Sequence, residues 1–151
     1  MVTLRQAGIE DVAGIEALVR AAYSIYLPRI GKPPGPMLDD YHALVADGRV
    51  TVVDHAGRPA GLIVLLPQPD HLLLDNVAVA PEAQGRGLGR RLIAFAEAEA
   101  RRLGLHEIRL YTHITMTENI TLYRRLGFVE THRGEQAGYS RVFMRKPISP
   151  N

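Results

Sequence analysis

Apolar and polar positions change period several times along the chain, and each change marks the edge of an element. Residues 2–5 alternate, as in a half-buried strand. From Val12 onward the apolar positions are Val12, Ile15, Leu18, Val19 and Ala22, which fall on one face of a helix. Glu10 and Asp11 lie where the start of that helix favours negative charge, and the helix is expected to reach Tyr23 or Tyr26. Residues 27–37 break the pattern, because four prolines and two glycines forbid regular structure and stiffen the path. A short helix follows, beginning at Asp39-Asp40-Tyr41 and ending near Gly48. Residues 49–54 and 59–66 are rich in β-formers on either side of Ala56-Gly57-Arg58, the pattern of a hairpin.

A turn at Gln68-Pro69-Asp70 leads into an apolar strand from Leu72, then Pro81, a glycine-rich loop and an amphipathic helix. That helix has Leu88, Leu92, Ala96, Ala100 and Leu103 on its apolar face, with Phe95 beside them, and it ends at Gly104. Residues 107–112 alternate as a strand, and residues 117–126 form a second helix stopped at Gly127. Residues 128–131 and 139–145 make a final strand pair joined through residues 134–138. The order is β-α-α-β-β-β-α-β-α-β-β without an internal repeat, which predicts one α/β domain over residues 1–151.

Composition narrows the class. A chain of 151 residues is long enough for a sizeable core, and 46% hydrophobic with 23% charged residues is ordinary for a globular protein. The absence of cysteine excludes disulfides and Cys-ligated zinc. No leader pattern and no run of about 18 apolar residues is present, so no membrane association is expected and the cytoplasm is the default location. The net charge is +2 and the arginines are spread over several elements, so nucleic-acid binding is not expected.

The informative stretch is Gln84-Gly85-Arg86-Gly87-Leu88-Gly89-Arg90-Arg91. Glycines at every second position leave the backbone open to a ligand, and a helix start presents N–H groups without intrahelical partners. The helix dipole and Arg86, Arg90 and Arg91 add positive charge, so the stretch reads as a pyrophosphate cradle, with a plain tight turn as its alternative. It is not a P-loop, because Arg90 and Arg91 stand where Lys and Ser/Thr belong. Nor is it a dinucleotide fingerprint, because position 90 is Arg90 and the next strand ends at Tyr111, Thr112 and His113 without a carboxylate.

The spacing Gln84-x-x-Gly87-x-Gly89 after a strand and Pro81 resembles the acyl-CoA loop of the GNAT superfamily of N-acetyltransferases. The element order and the string Asn119-Ile120-Thr121-Leu122-Tyr123-Arg124-Arg125-Leu126-Gly127-Phe128 extend the resemblance over nearly the whole chain. It implies a mixed, mostly antiparallel twisted sheet with splayed central strands flanked by helices. It also implies acetyl-CoA as cofactor and a small-molecule or protein amine as acceptor. In such a fold residues 72–104 hold the acyl-CoA loop and helix, residues 23–41 the acceptor segment, and residues 107–146 the C-terminal half. Terminal strand pairs of this family often meet across a homodimer.

Carried over residue by residue, the resemblance gives the backbone of Val77, Ala78 and Val79 to the pantetheine arm. The amides of Gln84, Gly85, Arg86, Gly87, Leu88, Gly89 and Arg90 go to the pyrophosphate. The side chains of Val77 and Val79 are expected in the core. Tyr123 becomes the acid that protonates the departing thiolate, against the alternative of a packed core tyrosine. Relatives often carry an asparagine where this chain has Met116, and Asn119, one turn on, is the candidate replacement. Tyr111 occupies the position where some relatives place a basic glutamate. The general base is left between Asp75, which shares a strand face with Val77 and Val79, and His113; an amine already neutral would need neither. Tyr23, Tyr26, Arg29 and Met37 flank the proline segment and, with Tyr111, are the candidate acceptor-binding residues. No metal ligands are expected. A non-catalytic acyl-CoA sensor is the alternative function.

Overall fold

The computed structural model describes residues 2–149 and contains seven strands and five α-helices among them. In chain order they are β1 (Val2–Gln6), α1 (Val12–Tyr23), α2 (Leu27–Ile30), α3 (Tyr41–Ala46), β2 (Val50–His55), β3 (Arg58–Pro67), β4 (Leu72–Val79), α4 (Leu88–Arg102), β5 (Glu107–His113), α5 (Thr117–Arg125), β6 (Val129–Gln136) and β7 (Tyr139–Pro147). The strands hydrogen-bond in the order β1-β2-β3-β4-β5-β7-β6. The ladders β1–β2, β2–β3, β5–β7 and β6–β7 are antiparallel, and β4–β5 is parallel.

The chain forms two compact units. The first takes in the chain up to Leu65 together with Asp75–Leu92, and the second Leu66–Leu74 and the chain from Ile93 onward. In the first, β3 is buried continuously from Ala60 to Leu65, as a strand covered on both faces must be. Ile15, Leu62, Val64 and Leu92 are fully buried there, each contributing about 1.5–3 kcal/mol of hydrophobic stabilisation. Arg5 ties β1 to its neighbours by pairing with both Asp11 and Asp54.

In the second unit, β4 pairs with β5 only at Leu72 and Leu73, opposite Ile108 and Arg109. On β5, Ile108, Leu110 and Thr112 are buried, while Tyr111 and His113 on the other face are half-exposed. Lys146 on β7 bonds Glu97 on α4 and donates to the Leu126 carbonyl at 2.6 Å, tying a strand to two helices.

Four local expectations change. Residues 27–37 are not irregular throughout, because α2 forms there and Gly35–Leu38 makes a 3-10 turn; Pro28 and Pro36 sit at first-turn positions, where their missing N–H costs nothing. Leu103 is 39% exposed, and Ile93 fills the core side of α4 instead. β6 runs on to Gln136, and the link to β7 is the two-residue turn Ala137-Gly138, both at positive φ, which matches the twist of a hairpin. Finally, Val77 and Val79 are half-buried, because the core face of β4 is Leu72, Leu74, Asn76 and Ala78.

Candidate functional site

The glycine loop belongs to the first unit. Gln84, Gly85, Arg86, Gly87 and Arg90 are exposed, while Leu88 is buried and pins the helix start. Gly85 and Gly87 have φ of +82° and +78°, a left-handed backbone that side-chain-bearing residues rarely adopt. A Cβ at Gly85, Gly87 or Gly89 would meet nothing within 4 Å, so the space over the loop is open. Within the described residues the first N–H of this stretch to find a backbone acceptor is that of Arg91, bonded to the Gly87 carbonyl at 3.1 Å. The amides of residues 85–90 therefore stand ready for a ligand's oxygens, and Arg86, Arg90 and Arg91 form no ion pair among the described residues. The donor set fits a diphosphate.

Residues 75–79 of β4 supply the adjoining edge. The Ala80 N–H donates to the Ala60 carbonyl at 2.8 Å, which turns Ala80 toward β3. By alternation Val77 and Val79 face their N–H and C=O groups the other way, as a pantetheine amide requires. Their carbonyls are contacted within the unit: Val77 O accepts from the Tyr23 hydroxyl at 2.8 Å, and Val79 O from Gln84 Nε2 at 3.5 Å.

Behind this edge lies a polar network that the sequence reading missed. Asn76 is 2% exposed, and its Nδ2 donates to the Tyr41 hydroxyl at 2.9 Å, which in turn donates to the Pro36 carbonyl at 2.5 Å. The Tyr23 hydroxyl reaches Asn76 Oδ1 at 2.6 Å. A polar residue on the apolar face of β4 was the available signal, since buried amides must be satisfied. Asp39 joins here. Its carboxyl is pushed up to about 8, first by burial and then by its hydrogen bond to, and repulsion from, Asp75. Asp39 therefore keeps its proton at neutral pH. Asp40, beside it in sequence, is spent on capping α3 through the Ala43 N–H at 3.1 Å.

Tyr26 is buried with its ring 6.3 Å from that of Tyr23, and the exposed Arg29 guanidinium lies 5.3 Å from the Tyr26 centroid. Met37 is half-buried in the 3-10 turn. The tyrosines are thus wall and scaffold of the segment.

The second unit holds the other candidates. Tyr123 on α5 is 5% exposed and packs edge-on against Phe128 at 5.7 Å. Met116 is buried and accepts from Thr112 Oγ1 at 3.5 Å, while Asn119 is half-buried. His113 Nδ1 accepts from the Thr115 N–H at 3.2 Å and lies 2.8 Å from Thr115 Oγ1. That N–H contact engages the Nδ1 lone pair and leaves the proton of the neutral ring on Nε2. Tyr111 packs on Phe143 at 5.8 Å and lines a pocket of about 520 Å³ with Leu73, Arg109, His132, Phe143 and Arg145. Among the described residues no group of His, Cys, Asp or Glu could hold a metal, and no helix is long and apolar enough to cross a membrane.

Comparison with known proteins follows the same lines. The model of the acetyltransferase (GNAT) family matches residues 15–128. The chain is similar to the mycothiol acetyltransferase of Pseudarthrobacter chlorophenolicus, at 52% identity over 87 residues. That match takes in 54% of this chain and 27% of the relative, so the chain spans only about a quarter of that protein. It is similar to the IAA acetyltransferase of Azospirillum brasilense at 34% identity over 113 residues, 72% of this chain and 69% of that protein. Its fold resembles that of the PaiA N-acetyltransferase from Thermoplasma acidophilum, solved with coenzyme A, at a TM-score of 0.81 and 17% identity over 97% of this chain and 99% of that one.

Proposed function

Because the chain belongs to the acetyltransferase (GNAT) family, we propose that it transfers an acetyl group from acetyl-CoA to a primary amine of a small molecule or protein. The observation that carries this is the row of open amides at residues 85–90 beside three arginines that form no ion pair among the described residues. Acetyl-CoA supplies an acyl thioester activated toward nitrogen nucleophiles. The amides of residues 85–90 and the Arg90 side chain hold the diphosphate, and the outward-facing backbone of Val77 and Val79 orients the arm, much as a sheet edge takes an added strand. Asn119 is the polar group offered in place of the asparagine lost at Met116.

The proton steps fall to the chain's own residues. Asp75 takes the proton from the attacking amine, directly or through water, while Asp39, its carboxyl pushed up to about 8, stays protonated beside it. His113 is the weaker candidate, for the reason given by its Nδ1 contact. Tyr123 keeps its hydroxyl proton at neutral pH and gives it to the departing thiolate. Tyr23, Tyr26, Arg29, Met37 and Tyr111 shape the acceptor's surroundings. The reaction needs acetyl-CoA and so belongs in the cytoplasm. A homodimer would form through β6, whose residues are all exposed at the end of the sheet.

A second reading, an acyl-CoA sensor without turnover, draws on Met116. The two are separated by calorimetry with CoA together with thiol release from acetyl-CoA over a panel of amines. Binding with release is expected. Binding without release from any amine favours the sensor, and no binding removes both.

A further inference from the structure

On β7, Tyr139, Arg141, Phe143 and Arg145 share one face of the strand. Arg141 is the anomaly. It is 8% exposed, and its Nε is buried without a hydrogen-bond partner. Among the described residues no carboxylate pairs with it, although other strand arginines do have acidic partners: Arg145 and Arg109 share Glu107. A buried guanidinium left this way is expensive, because desolvation is not returned as an ion pair.

The ring contacts explain how the cost is tolerated and where the remaining capacity lies. The Arg141 guanidinium carbon is 4.7 Å from the Tyr111 ring centroid and 4.6 Å from that of Tyr139. Aromatic rings stabilise a cation through its face. They leave the in-plane N–H donors unused, and those donors are the edge that takes a carboxylate in a forked pair. Space is present as well. The ladder partner of Arg141 on β6 is Gly134, which brings no side chain, and a Cβ there would meet nothing within 4 Å. On the other side its ladder partner is His113, whose ring meets Tyr139 edge-on at 6.3 Å.

We infer that Arg141, held between Tyr111 and Tyr139 and facing the gap at Gly134, is a binding residue for the carboxylate of a ligand, and that this ligand is the amine acceptor. The acceptor class is then amines that also carry a carboxylate, as amino acids do. The assignment of the ligand as acceptor rests on the acetyl-transfer reading; the anion site does not.

The test has two arms. The first needs no turnover: the Arg141 Nε–H signal of nitrogen-15-labelled protein, identified by its loss in Arg141→Lys, is followed during titration with sodium acetate at constant ionic strength set with sodium chloride. A saturable shift is expected, and an unmoved signal overturns the site. The second arm measures kcat/KM for matched pairs: L-leucine and 3-methylbutan-1-amine, L-phenylalanine and 2-phenylethylamine, O-phosphoethanolamine and ethanolamine. The amino acids should be preferred by at least about tenfold, through KM. Arg141→Gln should bring that ratio close to one, Arg141→Lys should keep part of it, and Gly134→Leu should raise KM for the amino acids. Equal loss for both members of each pair, with a lower Tm, would make Arg141 structural and overturn the inference. A preference for the phosphate alone would overturn the carboxylate assignment. If acetate moves the signal but no amine is acetylated, the anion site stands and the transfer reading fails.

Discussion

Arg5 and Arg141 both sit on strands, and they use their charge in opposite ways. Arg5 closes on Asp11 through Nη1 at 2.8 Å and on Asp54 through Nε at 2.5 Å, and both carboxylates raise its already high pKa further. Arg141, more deeply buried, has aromatic faces and, among the described residues, no carboxylate. A group whose partners lie within the chain has its role in the fold. One whose partners are missing is poised for something outside it. The same division separates the ladder amides from those of residues 85–90. Substitutions at open groups should therefore cost binding or rate and leave folding alone, and substitutions at closed groups should do the reverse.

The largest effect is expected at the loop. Gly87→Glu puts a side chain and a negative charge where the amides are open, at a backbone φ of +78°. CoA affinity by calorimetry should fall by about a hundredfold or more, from lost amide contacts and like-charge repulsion. Retained affinity would put the phosphates elsewhere. Next comes Tyr123→Phe, which removes the proposed acid but keeps the ring packed on Phe128. Turnover should drop by about a hundredfold, in the range of general acid catalysis, with CoA affinity unchanged. Near-normal turnover would return Tyr123 to a packing role.

How much of this the sequence disclosed follows from the range of the forces involved. The element order and the glycine loop were legible, because periodicity and helix-start chemistry are local. Asp75 was legible as a candidate base from alternation alone. Its partner Asp39 was not, since the two stand on elements far apart in sequence and only the fold puts one carboxyl beside the other. Leu103 misled because helical spacing does not say how far a helix's cover extends. Arg141 was overlooked although it interrupts an aromatic face at strand spacing, because a lone arginine in a strand gives no hint that its partner is absent.

The carboxyl pair sharpens the contrast through pH. The Asp39 carboxyl titrates near 8 in the folded protein, above its usual value, so folding takes up a proton and stability falls as pH rises toward 8. Asp39→Asn removes that penalty. Denaturant unfolding from pH about 5 to about 9 should show the variant gaining on the wild type as pH rises. Asp75→Asn, by contrast, removes the proposed base and should lower kcat/KM about a hundredfold with CoA affinity unchanged. Near-normal kcat/KM would take that role from Asp75 and direct attention back to His113.

The smallest effect is the one that tests the closed side. Arg5→Met leaves Asp11, 8% exposed, without its cation, although the Gly8 N–H still donates to it at 2.8 Å. Because Arg5 is itself 38% exposed, water softens the loss, and about 1–3 kcal/mol of stability is expected to go. Arg5 also holds the Asp11 carboxyl below its ordinary range, so that share of stability is present above the usual carboxylate pKa and disappears as pH falls. The Arg5→Met deficit should therefore shrink in acid, and a double-mutant cycle with Asp11→Asn should return most of it as coupling. CoA affinity per folded molecule should not change. A deficit below about 0.5 kcal/mol, or a loss of CoA affinity, would mean that pairing inside the chain does not mark the structural charges, and the distinction between Arg5 and Arg141 would fail at its simpler end.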